Sequence, residues 1–326
     1  MAGERVDGPR VSVIVPLYNE QDNIVDLVGQ LRDSLDSLRR SYEMLFIDDG
    51  STDGTFESLK RACQDWSAAS IIRFRRNFGQ TAALSAGFRA ARGQIVVTLD
   101  GDLQNDPADI GMLVEKLEEG WDMVSGWRKD RRDPFISRKL PSRLANWLIA
   151  ATTGVRIHDL GCSLKAYRRE IVKEIKLYGE MHRFLPVLAS WVGAEITEVA
   201  VRHYPRLKGE SKYGLSRTLR VILDLITVKF LMTRGTPIQS FGAWGVLSIV
   251  LGLMSGIATL LMRIFGVRTM TRNPLLIFTA ILLIVGVQFI ILGLLGELTI
   301  RTYYESQDKP IYRIREIVGL AASEEA

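Results

Sequence analysis

The chain has 326 residues, 47% hydrophobic and 24% charged, with a formal net charge of +5. Its length admits one large domain or two smaller ones, and its two cysteines, Cys63 and Cys162, exclude a disulfide framework and a cysteine-rich metal site. The positive balance fits an anionic membrane surface or an anionic substrate; no DNA- or RNA-binding motif accompanies it, so no nucleic-acid partner is expected.

The opening segment MAGERVDGPR is polar and runs straight into an apolar stretch at residues 11–15, so no signal peptide is expected. That stretch predicts a strand, followed by the loop PLYNE at 16–20. Residues 24–38 have helical spacing, with Ile24, Leu27, Val28, Leu31 and Leu35 on one face. A second strand over 44–47 ends in Asp48-Asp49-Gly50-Ser51, and a helix is expected from 53–55 to about Asp65. Strands over 70–74 and 95–99 flank an alanine-rich helix over 80–91. A helix over 108–119 and a short strand over 123–125 follow. Strands separated by helices predict a mostly parallel sheet, with ligands bound beyond the carboxyl ends of the strands. The polar loops at 16–20, 48–54 and 100–102 all fall on that edge.

The loop TLDGDLQNDP at 98–107 places two carboxylates one residue apart after an apolar strand. Such a pair, with the amide oxygen of Gln104 nearby, suits a hard divalent cation such as Mg²⁺ or Mn²⁺ that also binds substrate phosphates. Asp-Gly is also a common turn pair, so alone the pattern is open. At 46–55, Asp48 and Asp49 can accept hydrogen bonds from a base or a ribose; alternatively, Asp53 or Ser51 caps the next helix. The strand-end loops contain neither a Gly-x-x-x-x-Gly-Lys loop nor a Gly-x-Gly-x-x-Gly turn, which disfavours a nucleoside-triphosphate hydrolase and a dinucleotide oxidoreductase.

Two further stretches are amphipathic and basic, 135–150 and 219–232, and suit either a membrane interface or packing on the domain. Beyond them, residues 238–262 and 274–296 carry no charge, each longer than the roughly 20 residues that span a bilayer. The alternative is a pair of buried core helices. A hairpin of two spans puts both flanks on one side. Lysine and arginine in those flanks favour the cytoplasm, placing a multi-pass protein in the cell inner (plasma) membrane with its front domain cytoplasmic.

The four segments PLYNE (16–20), DDGSTDGT (48–55), NFGQTAALSAG (77–87) and DGDLQNDP (100–107), with RLKGESKYG (206–214) and two C-terminal spans, resemble glycosyltransferase family 2. The narrower resemblance is to its polyprenyl-phosphate branch, which includes dolichol-phosphate mannose synthases and the GtrB-like and ArnC-like enzymes. It implies a GT-A nucleotide-sugar-binding fold, α/β with a mostly parallel central sheet, followed by an amphipathic juxtamembrane helix and two transmembrane helices. The implied organisation is a catalytic domain over 1–215, a juxtamembrane helix over 216–236, a transmembrane hairpin over 237–300 and a cytoplasmic tail over 301–326.

Residue by residue, the resemblance assigns Pro16, Tyr18, Glu20, Asp48, Asp49 and Gln80 to the nucleotide-sugar. Asp100, Asp102 and Gln104 match its metal and diphosphate site. Arg128 matches an arginine near the diphosphate or the acceptor phosphate. Arg138 and Ser142, at i and i+4 of a helix, match a lipid-phosphate pair. Arg206 and Lys212 match a basic loop closing over phosphates. Asp159 falls where the family has an aspartate near the sugar, as a base, an orienting group or a turn residue. His182 is expected to contact the acceptor or cap a helix.

The implied reaction is attack of a lipid phosphate oxygen on sugar C1, inverting the anomeric centre and requiring a divalent cation. Glucose from UDP-glucose onto undecaprenyl phosphate is the expected transfer, with mannose from GDP-mannose and an aminoarabinose donor as alternatives. A homo-oligomer is expected, with a tetramer as one form. A processive polysaccharide synthase is disfavoured because Gln-x-x-Arg-Trp is missing and only two spans are present. An inactive sugar-binding scaffold is disfavoured because both aspartates of Asp-Gly-Asp are retained.

Overall fold

The computed structural model describes residues 8–129, 155, 157–177, 181–205, 237–265, 274–305 and 311–319. The basic stretches at 135–150 and 219–232, the whole of 216–236, and Arg138, Ser142, Arg206 and Lys212 lie outside the described residues. The chain divides into two compact units, residues 1–229 with 310–326, and residues 230–309.

In the first unit, β1 (Val11–Leu17), β2 (Tyr42–Asp48), β3 (Ala69–Phe74), β4 (Ile95–Thr98) and β5 (Met123–Trp127) arise where apolar, β-branched runs end in Asp, Gly or Asn loops. Between them lie α1 (Ile24–Ser37), α2 (Thr55–Ala62), α3 (Gln80–Ala90) and α4 (Ile110–Glu118). Then come β6 (Lys165–Arg168), α5 (Arg169–Glu174), α6 (Leu185–Trp191) and β7 (Ile196–Ala200). The sheet has eight strands in the order β7-β5-β6-β4-β1-β2-β3-β8, where β8 is Ile314–Val318. Strands β4, β1, β2 and β3 are mutually parallel, as are β5 and β7; β6 runs antiparallel between β4 and β5, and β8 antiparallel to β3.

Alternation along β1 sends Val11, Val13 and Val15 to one face, where they join Leu27, Leu31 and Leu35 of α1, Phe56 of α2 and Leu113 of α4 in one buried core. Ile14 points to the opposite face, against Gly87 of α3. Because β6 is antiparallel to both β4 and β5, its first residue, Lys165, sits beside Thr98 and Ser125 at the carboxyl-terminal edge of the sheet. That edge thereby gathers the loops after β1, β2, β4 and β5 and the loop before β6.

The expected strands and helices over 11–125 are present, with ends shifted by a few residues. Two differences have a physical cause. The helix expected from Ala108 opens as a 3-10 turn, Pro107–Asp109, because Pro107 lacks an N–H and Asp106 accepts from Ala108 N–H at 2.9 Å. The 301–326 segment is not only a tail. The second long helix continues to Glu305, and Ile314–Val318 pairs with β3, covering an edge strand that would otherwise present unpaired backbone groups. Tyr312 is buried and stacks on Phe74, with ring centroids 5.0 Å apart.

In the second unit, α7 (Pro237–Ile264) and α8 (Pro274–Glu305) are long and apolar enough to cross a membrane over Phe241–Ile264 and Pro274–Gly296. Most of their apolar side chains are exposed, unlike those of a soluble core helix. The two backbones touch. A Cβ on Gly245 would lie 2.8 Å from the Gly286 carbonyl oxygen, and one on Gly286 would lie 2.8 Å from that of Gly245. The Thr279 hydroxyl donates to Ser255 Oγ at 3.0 Å across the same seam.

Removing the ring that anchors β8 tests whether this strand stabilises the first unit. Tyr312→Ala is expected to cost about 3 kcal/mol, as for truncation of a buried aromatic residue. Thermal unfolding of the full chain, followed by near-UV circular dichroism, measures the loss.

Candidate active site

The loops after β1 and β2 are laced together. Asn19 N–H donates to Ser51 Oγ at 3.0 Å, Glu20 N–H to Thr55 Oγ1 at 2.9 Å, Thr52 N–H to Asn19 Oδ1 at 2.9 Å and Gly54 N–H to Gln21 Oε1 at 2.8 Å. Helix α2 starts after Gly54, without a side-chain cap from Ser51 or Asp53. Asp53 instead accepts from the Thr55 N–H at 3.0 Å and its hydroxyl at 2.5 Å. Pro16 lies within β1, Tyr18 is partly exposed beyond its end, and Glu20 accepts from Asn23 Nδ2 at 2.6 Å.

Asp48 and Asp49 are both buried. Asp48 Oδ1 accepts from Ser51 N–H at 2.9 Å, and Oδ2 lies 3.4 Å from the Arg73 guanidinium. Asp49 accepts from the consecutive N–H groups of Phe78 (2.7 Å) and Gly79 (2.9 Å), which fixes the entry to α3. Burial raises the Asp49 carboxyl above its ordinary value, partly offset by those two donors. The acidic pair thus organises the edge of the site from within. It places Gln80, the first residue of α3, so that its Nε2 donates to Asp100 Oδ1 at 2.7 Å.

Asp100 and Asp102 follow β4. Gly101 between them packs against Leu17, whose Cδ2 would lie 2.2 Å from a Cβ at this position, so a larger residue would require Leu17 to shift. The Asp100 carboxyl is pushed up to about 6 by burial and by the charge of Asp102, against hydrogen bonding from Ser163 and the charges of Lys165 and Arg128. Asp102 Oδ1 accepts from Gln104 N–H at 3.2 Å. The loop beyond is pinned from another segment. Arg202 donates through Nε (2.9 Å) and Nη2 (2.7 Å) to Asp109 Oδ1 and lies 3.0 Å from Asp106, while Tyr204 N–H donates to the Gln104 carbonyl at 2.8 Å.

After β5, Arg128 makes a two-pronged pair with Asp159, Nε to Oδ2 at 2.6 Å and Nη2 to Oδ1 at 2.8 Å, with side chains only 10% and 11% exposed. Burial would raise the Asp159 carboxyl, but the fork and charge of Arg128 more than reverse this and hold it below its ordinary value. Such a carboxylate is a weak base. The preceding residues match ring to ring, His158 stacking on Trp127 at 4.4 Å. His182 meets Thr81 of α3, Nδ1 to Oγ1 at 2.8 Å, from the turn before α6.

The structure therefore brings Gln80, Asp100, Asp102, Gln104, Arg128 and Asp159 to one edge of the sheet. Among the described residues, no group of three or more His, Cys, Asp or Glu side chains could hold a metal ion. The pair fits a cation that completes its shell with substrate phosphates and water, as Mg²⁺ commonly does. The donor set fits as well: two carboxylates and an amide oxygen at one strand end are the hard oxygen ligands such a cation takes.

The sequence profile of Glycosyl transferase family 2 matches residues 12–176, spanning β1 to the end of α5. The chain belongs to glycosyl transferase family 2. It is 43% identical to a dodecaprenyl-phosphate galacturonate synthase of Rhizobium johnstonii, covering 96% of this chain and 94% of that one. It is 37% identical to an undecaprenyl-phosphate 4-deoxy-4-formamido-L-arabinose transferase of Edwardsiella ictaluri, covering 94% of each. Its fold is similar to that of glucosyl-3-phosphoglycerate synthase from Mycobacterium tuberculosis, solved with Mn²⁺, UDP-glucose and phosphoglyceric acid. That likeness has a TM-score of 0.51 at 21% identity and covers 68% of this chain and 80% of that one. The family membership and the observed α/β sheet identify a GT-A glycosyltransferase.

Two side chains beside this candidate site escape motif reading. Lys165, at the start of β6, is 3% exposed and donates to the carbonyls of Leu160 (3.3 Å) and Cys162. Burial lowers its ammonium below the ordinary value, opposed by the charges of Cys162, Asp159 and Asp100. Glu198 of β7 accepts from the backbone N–H groups of His158 and Asp159. A lysine in a strand and a glutamate in a half-exposed strand carry no local signature; only the β5-β6-β7 arrangement brings them beneath Asp159.

The Arg128–Asp159 pair generates a pH signature. Because the Asp159 carboxyl is depressed on folding, its contribution is present above the unfolded value near 4 and disappears as pH falls through the folded value. Asp159→Asn, which leaves a buried guanidinium without its charge partner, is expected to cost about 3 kcal/mol at neutral pH and little once the wild-type carboxyl is protonated. Urea unfolding across the acid range measures both values.

Proposed function

We propose that this chain transfers one sugar from a nucleoside-diphosphate donor to polyprenyl phosphate, at the cytoplasmic face of the membrane that its two long helices cross. The observation that carries the reading is the near full-length similarity to two transferases named for polyprenyl phosphate, together with the Asp100–Asp102 and Arg128 cluster at the sheet edge. In this reading residues 1–215 hold the donor, 216–236 lie against the membrane, 237–300 anchor the chain, and 301–326 return a strand to the catalytic sheet.

Chemistry follows from charge. A phosphate oxygen of the lipid attacks sugar C1, the C1–oxygen bond to the donor breaks, and the electron pair leaves with the nucleoside diphosphate. The acceptor is already anionic near neutral pH, so a strong base is not needed, in accord with a depressed Asp159. Asp159 instead binds the Nε/Nη2 edge of Arg128 and so orients the guanidinium, whose remaining N–H groups would meet phosphate oxygens. Asp100, Asp102 and Gln104 would hold a divalent cation, Mg²⁺ or Mn²⁺, while Gln80 fixes the Asp100 carboxylate. When bound, that cation supplies Lewis-acid stabilisation of the leaving diphosphate. Pro16, Tyr18, Glu20, Asp48, Asp49 and Gln80 contact the nucleotide-sugar in this reading. Arg138, Ser142, Arg206 and Lys212 complete the acceptor phosphate site in this reading.

For the sugar, the two relatives are named for galacturonate and 4-deoxy-4-formamido-L-arabinose, so a nucleotide-linked galacturonate replaces glucose as the first donor to try. The test is a panel of UDP-galacturonate, UDP-glucose, GDP-mannose and the formamido-arabinose nucleotide against undecaprenyl phosphate, with and without chelator. One donor is expected to give a lipid-linked sugar, and the chelator is expected to abolish it. No transfer from any of the four would overturn the reading.

A second measurement follows from Asp100. Its carboxyl, raised to about 6, binds a proton in competition with the cation below that pH. The Mn²⁺ concentration for half-maximal transfer is therefore expected to rise up to about tenfold per pH unit below the Asp100 pKa and to level off above it. Asp102→Ala is expected to remove metal-dependent transfer at every pH while the protein stays folded.

A further inference from the structure

The loop His158-Asp159-Leu160-Gly161-Cys162 is gripped from both sides. From β7, the two oxygens of Glu198 each accept from His158 N–H at 3.0 Å; Oε1 also accepts from Asp159 N–H at 3.3 Å, and Oε2 lies 2.8 Å from His158 Nδ1. From β6, Lys165 donates to the carbonyls of Leu160 and Cys162. An acidic group thus binds the loop's donors and a basic group its acceptors. The space left is narrow, since a Cβ on Gly161 would lie 3.2 Å from Arg128 Nη2.

Neither side chain is needed to form its strand. The pairing of β6 with β4 continues through Ala166, Tyr167 and Arg168, and that of β7 with β5 runs from Ile196 to Ala200. A fully buried ammonium is costly, and an apolar side chain would fill that place at lower cost. What the two groups fix is the loop, and through it Asp159. Asp159 in turn holds the guanidinium of Arg128 in one orientation.

We infer that Lys165 and Glu198 are positioning residues, a two-sided clamp that sets Asp159 and, through it, aims Arg128 at the phosphates of the transfer reaction. The inference rests on the reading that Arg128 meets a phosphate during transfer. A misplaced guanidinium would bind the ground state nearly as well but stabilise developing charge less, so kcat falls and KM changes little.

The test uses the full chain in lipid nanodiscs, with Glu198→Ala, Glu198→Gln and Lys165→Met made alone and with Arg128→Ala. Glu198→Ala and Lys165→Met are expected to lower kcat by about 10- to 100-fold with donor KM within about threefold of wild type. Glu198→Gln, whose amide oxygen still accepts from the loop, is expected to recover most of the loss. With Arg128 already removed, the further loss is expected to shrink below about twofold, since residues acting through one group are not additive. Undiminished losses without Arg128, or an unchanged kcat in both single variants, would overturn the clamp. Hydrogen exchange gives a readout free of turnover. The 159–162 amides should exchange at least about tenfold faster in Glu198→Ala, with β6 and β7 protected as in wild type. Unaltered exchange would overturn the clamp, even where the double variants do not fold. A wild type that transfers no sugar overturns the proposed reaction, a result the exchange measurement separates from failure of the clamp.

Discussion

Charge compensation at the carboxyl-terminal edge of the sheet is the constraint on which the site depends. Five aspartates, Asp48, Asp49, Asp100, Asp102 and Asp159, gather there, and a carboxylate withdrawn from water must be met by donors or opposite charge. The protein gives three of them identified partners, although burial still raises Asp49. Asp48 takes a backbone donor and the nearby Arg73, Asp49 takes two backbone donors, and Asp159 takes the Arg128 fork. At Asp100 the charge of the neighbouring Asp102 adds to burial, and together they outweigh the surrounding donors and cations. Negative charge at one strand end, beside the Arg128 guanidinium, is suited to a cation and an anionic diphosphate arriving together.

This division also explains why the motif aspartates differ in role. DDGSTDGT and DGDLQNDP look alike in composition, yet the first is almost wholly occupied with backbone. Asp49 sets the turn at Phe78 and Gly79, α3 begins there, and its first residue, Gln80, reaches Asp100. The first acidic pair thus acts on the second through one helix.

Much of the fold was legible in the chain. The runs at 11–15, 44–47, 70–74 and 95–99 are apolar and β-branched, and each ends in turn chemistry, so their strands and shared edge follow from pattern alone. The strands that were not legible lack that signature. β6 is four residues, Lys165–Arg168, with charge at both ends; β7, Ile196–Ala200, is half exposed; β8 lies beyond two membrane-type helices. The Asp-Gly-Asp pair was legible as a candidate cation site from its carboxylate spacing and from the family resemblance together. The Arg128–Asp159 fork was not, because its partners are 31 residues apart and meet only through the β5-β6 arrangement. Lys165 and Glu198 were hidden for the same reason: their meaning lies in the loop they hold.

The central claim is that the Asp100–Asp102 turn binds a divalent cation together with the donor's diphosphate. Electron paramagnetic resonance of Mn²⁺ titrated into the full chain in nanodiscs, with and without UDP, tests it without requiring turnover. The account predicts a bound Mn²⁺ signal that tightens when UDP is added and disappears in Asp102→Asn. A bound signal of equal strength in wild type and Asp102→Asn, indifferent to UDP, would contradict it.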